Sequence, residues 1–267
     1  MTSRMIAADD GCRLSVRVDG PPSGSPLVLS NSLGTDVRLW DRQMAQLAAS
    51  HRVLRYDMRG HGASDAPAGD YSLDRLGRDV LSIMDAFGID RASLAGISIG
   101  GIVSLWVACH APQRVDRLVL ANTAARIGNG DLWHERMRVV RTGGMAALAD
   151  ATMTRWFTPT FREREPGTVA LFRNMVAGTP PDGYIGCCAA LRDADLRPLA
   201  AGVGARTLVI SGAHDVATPP AAGRWLADTI PVATFVEIDS AHLSNVERAE
   251  EFNQTMVHLL DANGNQS

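Results

Sequence analysis

Short apolar runs alternate with longer amphipathic stretches through most of the chain, and this alternation restricts the fold more than any other feature. Pro26–Asn31, Arg52–Asp57, Ala92–Gly96, Leu118–Asn122, Thr207–Ser211 and Thr234–Ile238 each read as a buried strand. Near-continuous apolar strands require a sheet covered on both faces. Between them, Leu73–Phe87 places Leu73, Leu76, Val80, Ile83, Met84 and Phe87 on one helical stripe. Ile99–Cys109 and Glu247–Leu260 carry further helical periods. Repeated strand–helix units predict right-handed crossovers and an α/β fold built on a mostly parallel, doubly wound sheet. Arg13–Val18 alternates and is expected as an antiparallel edge strand.

The rhythm breaks between Ala124 and Pro198, where Trp133, Trp156 and several proline and glycine stops occur without a convincing strand. The expected organisation is therefore an α/β core from 1–123 and 199–267, with a helical cap over 124–198. A length of 267 residues suits one such domain with an insertion. The polar tail Asn263–Ser267 is expected to fray.

Composition excludes several classes. Twenty-six basic side chains, all arginine, against 29 acidic residues leave a net charge of −3 and no basic block, so nucleic acid is not an expected partner. No apolar run reaches the ~18 residues of a membrane helix, and the first twenty residues lack the apolar core of a signal peptide. Cys12, Cys109, Cys187 and Cys188 form no CxxC pair, which fits a reduced, cytoplasmic protein. His51, His110, His134 and His258 lack metal-ligand spacing, and no phosphate-binding glycine loop is present. Neither a metal nor a cofactor is expected. Oligomeric state is left open.

The chemistry concentrates at strand ends. Gly96-Ile97-Ser98-Ile99-Gly100 follows a strand, opens a helix and fits G-x-S-x-G. A sharp strand-to-helix turn forces the serine into strained backbone geometry, so its flanking residues must be small. The helix N-terminus then offers free N–H groups to a developing oxyanion. Serine is a weak nucleophile until a base takes its proton, and that base needs an orienting acid. Asp215 lies just past the strand ending at Ser211, and His242 just past the strand ending at Ile238. Ser98, Asp215 and His242 thus occupy three loops at one sheet edge in the order such chemistry uses. His214 and Asp239 stand nearby as decoys that the scheme does not require. The oxyanion donors are expected to be the backbone N–H groups of Ile99 and of Leu33, in the loop Asn31-Ser32-Leu33-Gly34. In Asp57-Met58-Arg59-Gly60-His61-Gly62-Ala63-Ser64, glycines serve tight turns, Arg59 serves an ion pair, and His61 is a turn residue rather than a base.

Taken together, these pieces resemble the α/β-hydrolases over almost the whole chain. Within them the sequence is similar to the 3-oxoadipate enol-lactonases. The resemblance rests on Asn31–Gly34, Gly96–Gly101, Asn122–Gly128 with Trp133 after it, Gly183–Asp193 with its paired cysteines, and Ala241–Glu247. Asn31-Ser32 departs from the superfamily's common His-Gly start to that loop. The resemblance implies an α/β-hydrolase fold and hydrolysis of the enol-lactone to 3-oxoadipate in aromatic catabolism, with a small anionic lactone as partner. A carboxylate-bearing substrate needs a cation nearby. Arg126 is the leading candidate, following a strand at the active edge; Trp133 is expected to wall the ring, with Arg136 one turn further on. Arg192 is expected to pair with Asp193 or Asp195. A broad-specificity carboxylesterase, a cofactor-free perhydrolase and a ligand-binding receptor on the same scaffold remain alternatives.

Overall fold

β5 (Ala92–Ile97) is buried along its whole length, as a strand covered on both faces must be. The computed structural model, which describes residues 2–261, sets β5 at the middle of one eight-stranded sheet. The other strands are β1 (Thr2–Ala7), β2 (Arg13–Asp19), β3 (Ser25–Ser30), β4 (His51–Tyr56), β6 (Val115–Ala121), β7 (Arg206–Gly212) and β8 (Ala233–Ile238). Their order is β1-β2-β4-β3-β5-β6-β7-β8. β1 and β2 run antiparallel to their neighbours; every later pair is parallel. The fold is that of an α/β-hydrolase.

Helices α1 (Asp41–Leu47), α2 (Leu73–Ala86) and α3 (Ile99–His110) lie in the first half of the chain. Apart from its last two residues, Cys109 and His110, α3 is buried all round, packed against β3, β5, β6 and α2. α2 is amphipathic and begins where Ser72 Oγ accepts the Arg75 N–H. Between β6 and β7 come α4 (Gly130–Gly143), α5 (Ala146–Trp156), α6 (Pro159–Arg164), α7 (Pro166–Gly178) and α8 (Pro181–Asp193). Pro159, Pro166 and Pro181 each open a helix, where a missing N–H costs nothing. These inserted helices pack mainly on one another, and α8 also reaches α2. α9 (Pro220–Thr229), α10 (Ser244–Glu247) and α11 (Ala249–Asp261) complete the chain.

Two expectations change. Arg13–Val18 is antiparallel but is not the edge, because β1 pairs outside it with Ile6 opposite Leu14. The β1 sequence is too polar to announce a strand; pairing with β2 supplies what its own pattern lacks. The helical period over Glu247–Leu260 is broken at Arg248 (φ −126°, ψ 52°), whose guanidinium is drawn to the Asp239 carbonyl and carboxylate at 2.8 and 2.9 Å. Asn263–Ser267 lies outside the described residues. Among the described residues no helix is long and apolar enough to cross a membrane.

Candidate active site

The turn from β5 into α3 puts Ser98 at φ 59°, ψ −119°, a left-handed backbone that L-residues adopt only under constraint. The constraint is close packing. A Cβ on Gly96 would fall 2.1 Å from the Gly100 carbonyl oxygen, and one on Gly100 2.3 Å from the Ser30 carbonyl oxygen. Ser98 N–H donates to Ala121 O, and Thr123 Oγ1 donates to Ser98 O at 2.7 Å. Ser98 stands at the N-cap of α3 without using its side chain as a cap. Its hydroxyl is left for other chemistry.

Ser98 lines a cavity of about 140 Å³ together with Ser32, Leu33, Trp133, Arg136, Arg155 and His242, among others. The loop after β7 carries Asp215 behind His242, and the loop after β8 carries His242 itself. His242 Nδ1–H donates to Asp215 Oδ2 at 2.8 Å, which leaves Nε2 free of that contact. Asp215 Oδ1 accepts the N–H groups of Ala217 and Thr218, while Oδ2 also accepts the Thr218 hydroxyl at 2.7 Å. Burial opposes ionisation of Asp215, but the His242 imidazole beside it, its hydrogen bond and the Thr218 donors outweigh it and hold the carboxyl at about 2. A buried carboxylate so held fixes the tautomer and ring orientation of its histidine.

Asn122, at the end of β6, is a further support. Its φ of 46° is one that asparagine tolerates. Its amide donates to Asp215 Oδ2 at 3.1 Å and to Ala241 O at 3.3 Å, and Ser244 Oγ donates to its Oδ1. Leu33 N–H and Ile99 N–H have no acceptor among the described residues. The decoys pair with each other at the surface, His214 Nε2 standing 2.8 Å from Asp239 Oδ1.

The cation at the cavity is not the expected one. Arg126 does not line it; its side chain is 42% exposed, with the guanidinium 3.7 Å from the Asp195 carboxylate. The nearby aspartate captures it, and proximity to a strand end does not decide where a long side chain goes. Arg136 and Arg155 line the cavity instead. Arg136 lies 5.1 Å above the Trp133 ring and donates to Tyr184 Oη at 3.4 Å. Arg155 donates to Thr152 Oγ1 at 2.9 Å, and burial followed by repulsion from Arg136 lowers its pKa. No aspartate or glutamate is among the lining residues. Arg155 carries no motif in the sequence that could have singled it out. Trp133 lines the cavity, its indole N–H donating to Ile127 O at 2.7 Å. Arg192 pairs with Asp193 and with Asp70, while Asp195 takes Arg197.

A family model described as the alpha/beta hydrolase fold matches residues 25–249. The chain belongs to the α/β-hydrolase family. This hydrolase is 40% identical over 234 residues to 3-oxoadipate enol-lactonase 2 of Acinetobacter baylyi, covering 88% of each chain. It is 39% identical over 252 residues to 3-oxoadipate enol-lactonase 1 of the same organism, covering 94% of each. Its structure matches the crystal structure of the enol-lactonase from Burkholderia xenovorans LB400 with a TM-score of 0.95 and 46% identity, over 96% of this hydrolase and 99% of that chain.

Proposed function

We propose that this hydrolase opens 3-oxoadipate enol-lactone to 3-oxoadipate, with Ser98 as nucleophile, His242 as base and Asp215 as the group that holds His242. One observation carries the reading. A serine with an unused hydroxyl and a carboxylate-backed histidine share a small cavity with two guanidiniums and no carboxylate. The volume of about 140 Å³ falls below the roughly 300–1,000 Å³ of drug-sized sites. It suits a small acid rather than a long acyl chain. The names of the relatives support the same substrate.

His242 Nε2 takes the Ser98 proton as Oγ attacks the lactone carbonyl. The carbonyl oxygen gains the charge and is met by the N–H groups of Leu33 and Ile99. Collapse breaks the ring C–O bond, releasing an enolate oxygen that the His242 imidazolium protonates; the enol then tautomerises to the ketone. Water, deprotonated by His242, attacks the acyl-enzyme and returns Ser98 with a second free carboxylate on the product. Arg136 and Arg155 receive the substrate's own carboxylate, replacing the role expected of Arg126, and Trp133 walls the ring beneath Arg136. The inserted helices act in this reading as the cap that supplies these contacts.

The test is ultraviolet loss of the enol-lactone with the purified protein, beside hydrolysis of a neutral aryl ester. A lactonase prefers the anionic lactone by orders of magnitude. Equal turnover of both marks a broad esterase, and no turnover of either marks a binding protein on the same scaffold.

A further inference from the structure

His61 is 1% exposed, faces no solvent and does not line the cavity, yet both ring nitrogens are committed. Nδ1–H donates to the Arg59 carbonyl at 3.2 Å, which leaves a lone pair on Nε2, and that lone pair accepts the Gly34 N–H at 2.9 Å. Burial pushes the ring down to about 4, so at neutral pH it is the uncharged acceptor this geometry needs. Gly34 directly follows Leu33 and sits at φ 81°. The loop it belongs to is tied to the end of β4 at two more points. Asn31 Nδ2 donates to Tyr56 O at 2.7 Å, and Val37 N–H donates to Asp57 Oδ1 at 2.9 Å. The turn bearing His61 is itself immobilised. Asp57 Oδ2 accepts the Ala63 N–H, Ser64 Oγ donates to Asp57 O, and Gly60 meets Gly183 of α8 so closely that a Cβ there would fall 2.3 Å from the Gly183 Cα.

We infer that His61 is a positioning residue for the oxyanion site: its Nε2 anchors Gly34 in the turn Ser32–Thr35 and thereby holds in place the Ser32–Leu33 peptide that carries the Leu33 N–H. The inference rests on the proposed role of Leu33. The Ser32–Leu33 peptide is gripped from its carbonyl side by the turn itself, Thr35 N–H and Oγ1 donating to Ser32 O, so the turn moves as a unit, and the bond from Gly34 N–H to His61 ties its middle to the neighbouring loop. A small shift of the unit separates a donor aimed at the oxyanion from one aimed elsewhere. An oxyanion donor contributes chiefly in the transition state. Loss of its aim therefore lowers kcat while leaving KM nearly unmoved.

His61→Phe keeps the ring volume and removes the acceptor; His61→Gln returns an acceptor at the distance of Nε2. The experiment measures kcat and KM on the enol-lactone and the inhibition constant of a small alkylboronic acid, whose tetrahedral serine adduct places an oxygen at the oxyanion site. Active molecules of the wild type and the His61 variants are counted by boronate titration at saturating boronate, and Ser98→Ala, which cannot form the adduct, is run beside them for turnover. His61→Phe is expected to lose about tenfold or more in kcat and in boronate affinity, with KM within about twofold and a substantial return in His61→Gln. A merely structural histidine lowers thermal stability and the active fraction but leaves kcat per active molecule and boronate affinity unchanged, which overturns the inference. So does a glutamine variant no better than phenylalanine. If Ser98→Ala retains turnover, the catalytic reading itself falls; if Ser98→Ala is inactive and His61→Phe is normal, only the role of His61 falls.

Discussion

His242 and Asp215 meet at 2.8 Å with side chains 3% and 0% exposed, a charge-bearing pair closed off from water at the end of two adjacent strands. Burial of this kind is costly unless every acceptor site on the carboxylate is filled. Here Ala217, Thr218 and Asn122 fill them. The exposed alternative, His214 with Asp239, has the same separation and none of that enclosure, its side chains being 58% and 71% exposed.

The difference is measurable by substituting each acid. Asp215→Asn should lower kcat on the enol-lactone by about 10³–10⁴, because an amide no longer enforces the required histidine tautomer. Asp239→Asn should stay within about threefold, as exposed ion pairs contribute little. Steady-state kinetics of the two variants side by side check this, and a reversed order assigns the acid to Asp239.

Substrate charge should be read by Arg136 and Arg155. Loss of one charge-assisted hydrogen bond typically costs about 1.5–3 kcal/mol, or roughly ten- to a hundredfold in kcat/KM. Arg136→Ala and Arg155→Ala should each show that loss on the anionic lactone and little on a neutral aryl ester. Arg126→Ala, at a guanidinium paired with Asp195, should change neither ratio. Equal losses on both substrates would indicate a packing defect instead.

Acid should destabilise the fold partly through His61. Native His61 stays neutral down to about pH 4 because it is buried, whereas the unfolded residue takes a proton near 6.5. Between those values the unfolded chain holds more protons, so stability falls as the pH is lowered. One such histidine contributes about 3 kcal/mol across the whole window. Urea unfolding of the wild type and His61→Phe from pH 7 downward should give a shallower pH dependence for the variant. Parallel curves would contradict a buried neutral imidazole.

Glu247 joins the histidine loop to the inserted helices, its carboxylate accepting the Ala241 N–H, the Thr158 N–H and the Thr158 hydroxyl. Glu247→Gln leaves one acceptor oxygen for three donors. A loss of about 1–3 kcal/mol is expected, read as a lower urea midpoint at unchanged slope.

Much of this arrangement is written locally. The β5 run, the glycines around Ser98 and the strand ends before Asp215 and His242 can be read without coordinates, because apolar runs and small-residue turns encode backbone shape directly. β1 cannot be read that way, since its pairing with β2 rather than its own pattern makes it a strand. Arg126 misleads because chain proximity fixes where the Cα lies, and Asp195 decides where the guanidinium goes. Arg155 and His61 are hidden for the same reason: Arg155 reaches the cavity of Ser98 only through the packing of α5, and the partner of His61 lies on a different loop, at Gly34.

Hydrolysis of 3-oxoadipate enol-lactone by the wild type and by Ser98→Ala, followed as ultraviolet loss of the lactone, tests the assignment most directly. The wild type should turn the lactone over, and Ser98→Ala should fall by about 10³-fold or more with its fold intact, since the hydroxyl forms no structural bond. Near-normal turnover by Ser98→Ala, or none by the wild type, would contradict it.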